Sequence, residues 1–262
     1  MSAPTRNRRR RRTPVLPIAA LLLLVLVLGF VLGRMTAPGG GAHGQNAAAK
    51  EPPQMPDWVT ADLLPQNKYS RPGTALTQVN GIVIHYVGNP GTTAQQNRDY
   101  FAGLATTHAT SASSHFVIGI DGEIIQCVPL DEVAYCSNNR NYDTISIECC
   151  HPGEDGQFTQ ETYDSLVRLT AFLADYYGLE RADIIRHYDV TGKECPKYYV
   201  DHPDKWEAFL DDVMLIRNYW KEEAEKEKQE KEAEEAKRRH QEETGIDELT
   251  AFLESNAAIP EE

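Results

Sequence analysis

Residues 184–196 place the most reactive side chains of the chain close together: Arg186, His187, Tyr188, Asp189, Val190, Thr191, Gly192, Lys193, Glu194, Cys195 and Pro196 follow the apolar pair Ile184 and Ile185. His187 closes a short apolar run and Cys195 follows eight residues later, with Thr191 and Gly192 between them to turn the chain back. An imidazole and a thiolate are ligands suited to zinc (Zn2+), and a catalytic zinc takes three protein ligands and leaves one position open for water. Lys193 would stand beside such a metal, with its charge facing a developing oxyanion. The plainer alternative, a loop with a surface His and a buried Cys, is the commoner arrangement for one such pair. A third ligand must come from elsewhere.

His85 is one source. Ile82, Val83, Ile84 and Val87 make residues 81–87 apolar on both faces, as in a central strand covered on two sides. His85 falls near the carboxyl end of that strand, before Gly88, Asn89, Pro90 and Gly91, where α/β sheets build their ligand sites. Alone, it reads equally as a satisfied core histidine. Residues 144–150 alternate, with Ile145, Ile147 and Cys149 on one face and Thr144, Ser146, Glu148 and Cys150 on the other. A carboxylate is uncommon in a strand, so Glu148 is a candidate general base; the alternative is a solvent-facing strand residue. His108 and His115 could also line a site, or be a loop and a strand-start histidine.

The elements that must position these groups follow from periodicity. Residues 93–104 predict a helix. Residues 115–120 and 123–128, around Asp121 and Gly122, predict a β-hairpin. Tyr163, Leu166, Val167, Thr170, Leu173 and Tyr177 form the stripe of an amphipathic helix over 159–177, stopped by Gly178. A short strand over 183–187 and a helix over 204–220 complete one α/β domain over residues 57–220.

Charge divides the chain. Seven of its 26 basic residues, Arg6, Arg8, Arg9, Arg10, Arg11, Arg12 and Arg34, lie before residue 35 and no acid occurs before Glu51, so residues 35–262 carry a net charge of −20. That argues against nucleic acid as a partner. Residues 1–13 form a basic cytoplasmic segment. Residues 14–33 are apolar apart from glycines and prolines, long enough to span the roughly 30 Å of a bilayer core. They predict a transmembrane anchor with the rest of the chain outside the cell membrane. A cleaved signal peptide would have a shorter apolar core and a nearby small-residue cleavage site. Residues 34–56, rich in Gly, Ala and Pro, predict a flexible tether. Residues 221–262 begin with Glu, Lys, Arg, Gln and Ala in a run without an apolar seam, which predicts a solvated single charged helix. Ile246, Leu249, Phe252 and Leu253 then recur at helical spacing after Thr244 and Gly245, and could engage a protein partner or the domain.

With His85, Glu148, His187, Lys193 and Cys195 assembled, the chain resembles the type 2 N-acetylmuramoyl-L-alanine amidases, a zinc family that includes phage endolysins and the peptidoglycan recognition proteins. Four fragments carry the resemblance in order: Ile82 to His85, Ser114 to Gly122, Ile145 to Glu148, and His187 to Pro196. The resemblance implies a single mixed β-sheet flanked by helices. It further implies zinc on His85, His187 and Cys195, Glu148 as acid/base, and Lys193 as transition-state stabiliser. Some members carry Tyr before the residue matching His115; Ser114 stands there, so the Tyr-dependent variant is excluded and its role falls on Glu148. The implied reaction is hydrolysis of the bond between N-acetylmuramic acid and L-alanine in peptidoglycan. The alternative within the family is a non-catalytic peptidoglycan-binding module, which lacks the Cys ligand. With Cys195 on zinc, an oxidising compartment predicts a bridge between Cys127 or Cys136 and Cys149 or Cys150, with Cys136–Cys150 preferred; the alternative is four buried thiols.

Overall fold

Six short strands rich in β-branched residues form one sheet: β1 (Val59–Ala61), β2 (Ile82–Tyr86), β3 (Phe116–Ile118), β4 (Ile124–Gln126), β5 (Ile145–Cys149) and β6 (Ile184–Arg186). The structure is a computed structural model and describes residues 52–257. The strand order is β1-β4-β3-β5-β2-β6. Only β3 and β4 run antiparallel, as the Asp121–Gly122 hairpin signal predicts; the other pairs are parallel. The sheet is therefore mixed, with β3 and β5 at its centre and β2 between β5 and the edge strand β6.

Among the described residues, five α-helices accompany it: α1 (Ala94–Thr107), α2 (Gln160–Tyr177), α3 (His187–Thr191), α4 (Lys197–Asp201) and α5 (Pro203–Ala257). Local chemistry sets their ends. The Thr93 hydroxyl accepts from Gln96 N at 3.2 Å, and the Gln96 side chain accepts from Thr93 N at 2.9 Å, a capping box that starts α1. Thr159 caps α2, and Gly178 ends it in the left-handed conformation at φ 69°.

Strand alternation sorts the sheet into two faces. Ile82 and Ile84 of β2, Phe116 and Ile118 of β3, and Ile145, Ile147 and Cys149 of β5 point to one side. There they pack with Leu166, Leu169 and Leu173 of α2 and Trp206, Phe209 and Val213 of α5 in the main core. On the other side Val117, Ile125 and Cys127 form a smaller cluster with Ala94 and Phe101 of α1. That helix packs on β3 and β4. The β5–β2–β6 half of this face carries the polar groups described below.

Helix α5 joins the expected helix over 204–220 and the charged tail into one element, uninterrupted at Thr244 and Gly245. The Thr244 hydroxyl bonds back to His240 O at 2.9 Å. One Gly costs a helix only about 1 kcal/mol relative to Ala, too little to stop it. Along it Lys231 pairs with Glu227 at 3.9 Å, Lys226 with Glu223 at 2.7 Å and Arg238 with Glu242 at 4.0 Å. These pairs are solvent-exposed and each stabilises by only a few tenths of a kcal/mol.

The basic segment 1–13, the predicted anchor 14–33 and the tether up to residue 51 lie outside the described residues. Among the described residues no helix is long and apolar enough to cross a membrane.

Candidate metal centre and active site

Register builds the site. His85 on β2 lies beside Glu148 on the parallel strand β5, and both have the parity that points away from the main core. β6 stops at Arg186, so His187 becomes the first residue of α3. That helix lasts one turn: Gly192, at φ 77°, donates its N–H to Tyr188 O and reverses the chain. The Tyr188 N–H then donates to Cys195 O at 2.9 Å, closing the loop predicted from Thr191 and Gly192 and bringing Cys195 back to the sheet.

Three ligand atoms from His85, His187 and Cys195 lie within 4.8 Å of one another, and all three residues are buried. Cys195 Sγ is 3.9 Å from His85 Nδ1, and the two imidazoles sit with ring centroids 4.6 Å apart. The outer nitrogen of each ring is held in place. His85 Nε2 pairs with Ser137 Oγ at 3.0 Å, and His187 Nε2 pairs with Asn138 Oδ1 at 2.8 Å. An amide oxygen can only accept, so His187 carries its proton on Nε2 and turns the lone pair of Nδ1 inward. Nδ1 is buried and has no hydrogen-bond partner. A buried acceptor left open in this way is costly unless something else binds there, and orientation of a ligand imidazole through its second nitrogen is the usual arrangement at metal sites.

Electrostatics agree with that reading. Burial, then His187 and Lys193, holds His85 well below its ordinary value. Burial and Lys193 lower His187 as well, so both rings are neutral near pH 7, as ligands must be. Burial, reinforced by Glu148, pushes the Cys195 thiol up to about 12, although a backbone hydrogen bond from Tyr86 and the charge of Lys193 oppose it. Two neutral imidazoles and a buried thiol thus converge, and a cation would convert the thiol to the thiolate. The donor set fits a metal.

Glu148 stands beside this set. Cys136 Sγ–H donates to its Oε1 at 3.4 Å, while Oε2 is buried and unpartnered. Burial raises its carboxyl to about 7, against the lowering effects of Cys136 and Lys193. Lys193 is exposed at the rim, and its charge acts on His85, His187, Glu148 and Cys195 alike. All five residues singled out from sequence are therefore brought together.

The two further histidine candidates, His108 and His115, are not part of the site. The Nδ1 of His115 accepts from Ser146 N at 3.0 Å and its Nε2 donates to Glu132 O at 2.9 Å, so it is a buried neutral brace between β5 and a loop; burial lowers it to about 4. His108 ends α1 in the left-handed region and stacks on Tyr69 at 4.3 Å.

Sequence reasoning missed the loop that covers the site. Asn141 Oδ1 accepts from Cys136 N at 3.0 Å and Ser137 N at 2.6 Å, pulling the chain into a turn in which Asn138 adopts φ 54°. The available signal was the Ser-Asn-Asn cluster just before β5, since Asn tolerates the left-handed region and binds nearby backbone. The expected Cys136–Cys150 bridge is corrected as well: all five cysteines are free thiols. Cys136 faces Glu148, whereas Cys150 lies in the smaller cluster under α1 and accepts from Asn97 Nδ2 at 3.5 Å. Two residues along a strand are roughly 6.5 Å apart, so sharing a face with Glu148 does not put Cys150 within reach of the same thiol.

Fold and site together define a class: a single mixed sheet with a metal-capable His–His–Cys set and a half-buried carboxylate near strand ends. Residues 75–198, a little under half of the chain, match the profile described as N-acetylmuramoyl-L-alanine amidase, and that segment is similar to the type 2 amidases. Among curated relatives, the N-acetylmuramoyl-L-alanine amidase CwlL of Bacillus licheniformis is 36% identical over 165 residues, which is 58% of this chain and 45% of that protein. BlyA of Bacillus subtilis (strain 168), also named N-acetylmuramoyl-L-alanine amidase, is 33% identical over 175 residues, 59% of this chain and 46% of that one. The chain thus spans less than half the length of either relative. Among solved structures, the catalytic domain of XlyA aligns with a TM-score of 0.51 at 25% identity, covering 59% of this chain and 98% of that one.

Proposed function

We propose that this protein is a zinc-dependent N-acetylmuramoyl-L-alanine amidase, cutting the amide between N-acetylmuramic acid and L-alanine in peptidoglycan. The observation that carries the proposal is the convergence of His85, His187 and Cys195, with His187 Nδ1 buried and open, beside the half-buried Glu148, whose Oε2 is buried. Two imidazoles and one thiolate suit zinc among the common divalent metals. When bound, zinc supplies Lewis acidity toward a water and the substrate carbonyl.

The chain's own groups do the rest. Ser137 and Asn138 hold the two imidazoles by their outer nitrogens. Glu148, raised toward neutrality by burial, accepts a proton as a water oxygen bonds to the carbonyl carbon, and returns it to the amide nitrogen as the C–N bond breaks. Without that proton the departing group would be a strongly basic nitrogen anion. Lys193, at the rim, faces the oxygen on which negative charge accumulates. The presence of both Cys195 and Glu148 favours cleavage over a binding module.

We further propose that residues 14–33 hold the domain on the outer face of the cell membrane, where peptidoglycan lies; the support is the arginine-rich segment before an apolar stretch of spanning length.

Mass spectrometry of fragments released from purified wall by the full chain tests the activity. Free L-alanyl amino termini and uncut glycan strands are expected. Cut glycan, cut peptide cross-links, or wall binding without release overturns the proposal. Protease added to intact spheroplasts should remove the domain; complete protection would place it inside.

A further inference from the structure

Beside the three-ligand set, Cys136 and Glu148 form a pair that hydrolysis uses only through the carboxylate. Cys136 Sγ lies 3.4 Å from Glu148 Oε1, and Glu148 Oε2 is buried with no partner. Ligand atoms of His85, Cys136 and Glu148 also lie within 4.8 Å of one another, a second grouping that shares only His85 with the first. A tetrahedral cation with a thiolate at about 2.3 Å and a carboxylate oxygen at about 2.0–2.2 Å separates S from O by about 3.5 Å. The pair already has that spacing, so no backbone movement is needed to seat an ion.

We infer that Cys136 and Glu148, at the edge of His85, form a second and weaker seat for a thiophilic divalent cation, and that filling it inhibits the enzyme by occupying the Glu148 carboxylate. The inference rests on the hydrolytic role proposed above for Glu148 and for the primary set. Weaker binding follows from the sharing of His85. One of its nitrogens faces Cys195, and the other is held by Ser137 Oγ at 3.0 Å. With the primary set loaded, the second seat keeps two protein ligands and completes its shell with water. Loading releases the thiol proton to solvent, an added cost that a soft cation recovers in its bond to sulfur. Magnesium and calcium favour oxygen ligands and gain nothing from Cys136. Among the described residues, Cys136 is the thiol that bonds Glu148; Cys127 and Cys150 lie under α1, and Cys149 lies in the main core.

The test is a zinc titration of the metal-free full chain against a chromophoric chelator, with wall hydrolysis followed in parallel. Two binding steps are expected, the rate rising through the first and falling through the second. Cys136→Ser keeps a donor of similar size but a poor soft ligand. It should retain the first step and shift the second step and the inhibition to higher zinc by about tenfold or more. Magnesium at the same concentrations should not inhibit. With excess cadmium, charge-transfer absorption should report two thiolate ligands per parent chain, a readout that needs no variant. A single step with one cadmium-bound thiolate and no inhibition by excess zinc overturns the second seat and leaves the hydrolytic proposal standing. So does a second step that survives unchanged in Cys136→Ser. If the first step itself is missing, the hydrolytic proposal falls, and this inference with it.

Discussion

The two faces of β5 differ in kind although their residues alternate one by one. Ile145, Ile147 and Cys149 are fully buried among aliphatic and aromatic side chains from α2 and α5. Between them, Ser146 and Glu148 meet His115, Cys136 and the metal-capable set. One face lowers the free energy of folding by removing apolar area from water. The other raises it, because a carboxylate with an unpartnered oxygen and an imidazole with an open lone pair are buried there. Neighbouring residues should therefore fail in different ways when replaced: one class loses the fold, the other loses chemistry while the fold survives.

The largest effect is expected from Cys195→Ala. A three-ligand set deprived of its sulfur should lose zinc and wall hydrolysis together, while thermal unfolding of the metal-free protein changes little. Metal analysis after gel filtration checks this in a Cys136→Ser background, where the second seat is weakened, and a Cys195→Ala variant that keeps one zinc per chain there breaks the assignment. Next is Glu148→Gln, expected to retain zinc and lose roughly 100- to 10,000-fold in rate. Undiminished hydrolysis would make Glu148 an ordinary strand residue.

The same variant sharpens the comparison through pH. Burial pushes the Glu148 carboxyl up to about 7 in the folded metal-free protein, from an ordinary value of 4.5. The native state therefore binds the proton more tightly than the unfolded chain. The stability this contributes is fully present below about 4.5 and is lost as pH rises through about 7. Relative to Glu148→Gln, the metal-free parent should lose stability across that window; denaturant titrations that run parallel at every pH would refute it.

On the opposite face, Phe209→Ala should destabilise by about 3–5 kcal/mol, since the ring is fully buried against Trp206 and Tyr199. Zinc affinity should be kept wherever the variant remains folded, and loss of zinc from folded protein would show that the faces are coupled. The smallest effect is expected from Gly245→Ala. Nothing lies within 4 Å of a Cβ built there, so α5 should gain about 0.5–1 kcal/mol of local helix stability with no change in zinc or rate. Hydrogen exchange along the helix would read this.

The main elements were legible because their periodicity follows burial. Residues 144–150 alternate, and β5 buries the residues that the alternation names; Thr159 and Gly178 bound α2 because a hydroxyl and a left-handed glycine satisfy its end groups. His85, His187, Cys195, Glu148 and Lys193 were legible because His and Cys ligands and an embedded acid stand out against apolar strands. The supporting layer was not. Ser137 and Asn138 act through single hydrogen bonds from a turn with no period, and nothing in their types distinguishes them from solvent-exposed turn residues. The short strand β1 has too few residues for a pattern. The disulfide expectation failed because shared parity gives a direction and not a distance.

Helix α5 has a consequence as a ruler. From Trp220 to Ile246 it rises 1.5 Å and turns 100° per residue, a span of about 39 Å along a rigid axis. The exposed Ile246, Leu249 and Leu253 are thereby held at a set distance from the sheet and also at a set rotational phase. Removing four residues between them would shorten the rod by about 6 Å and turn its tip by roughly 40°. Removing two would shorten it by half as much, yet swing the tip to nearly the opposite side.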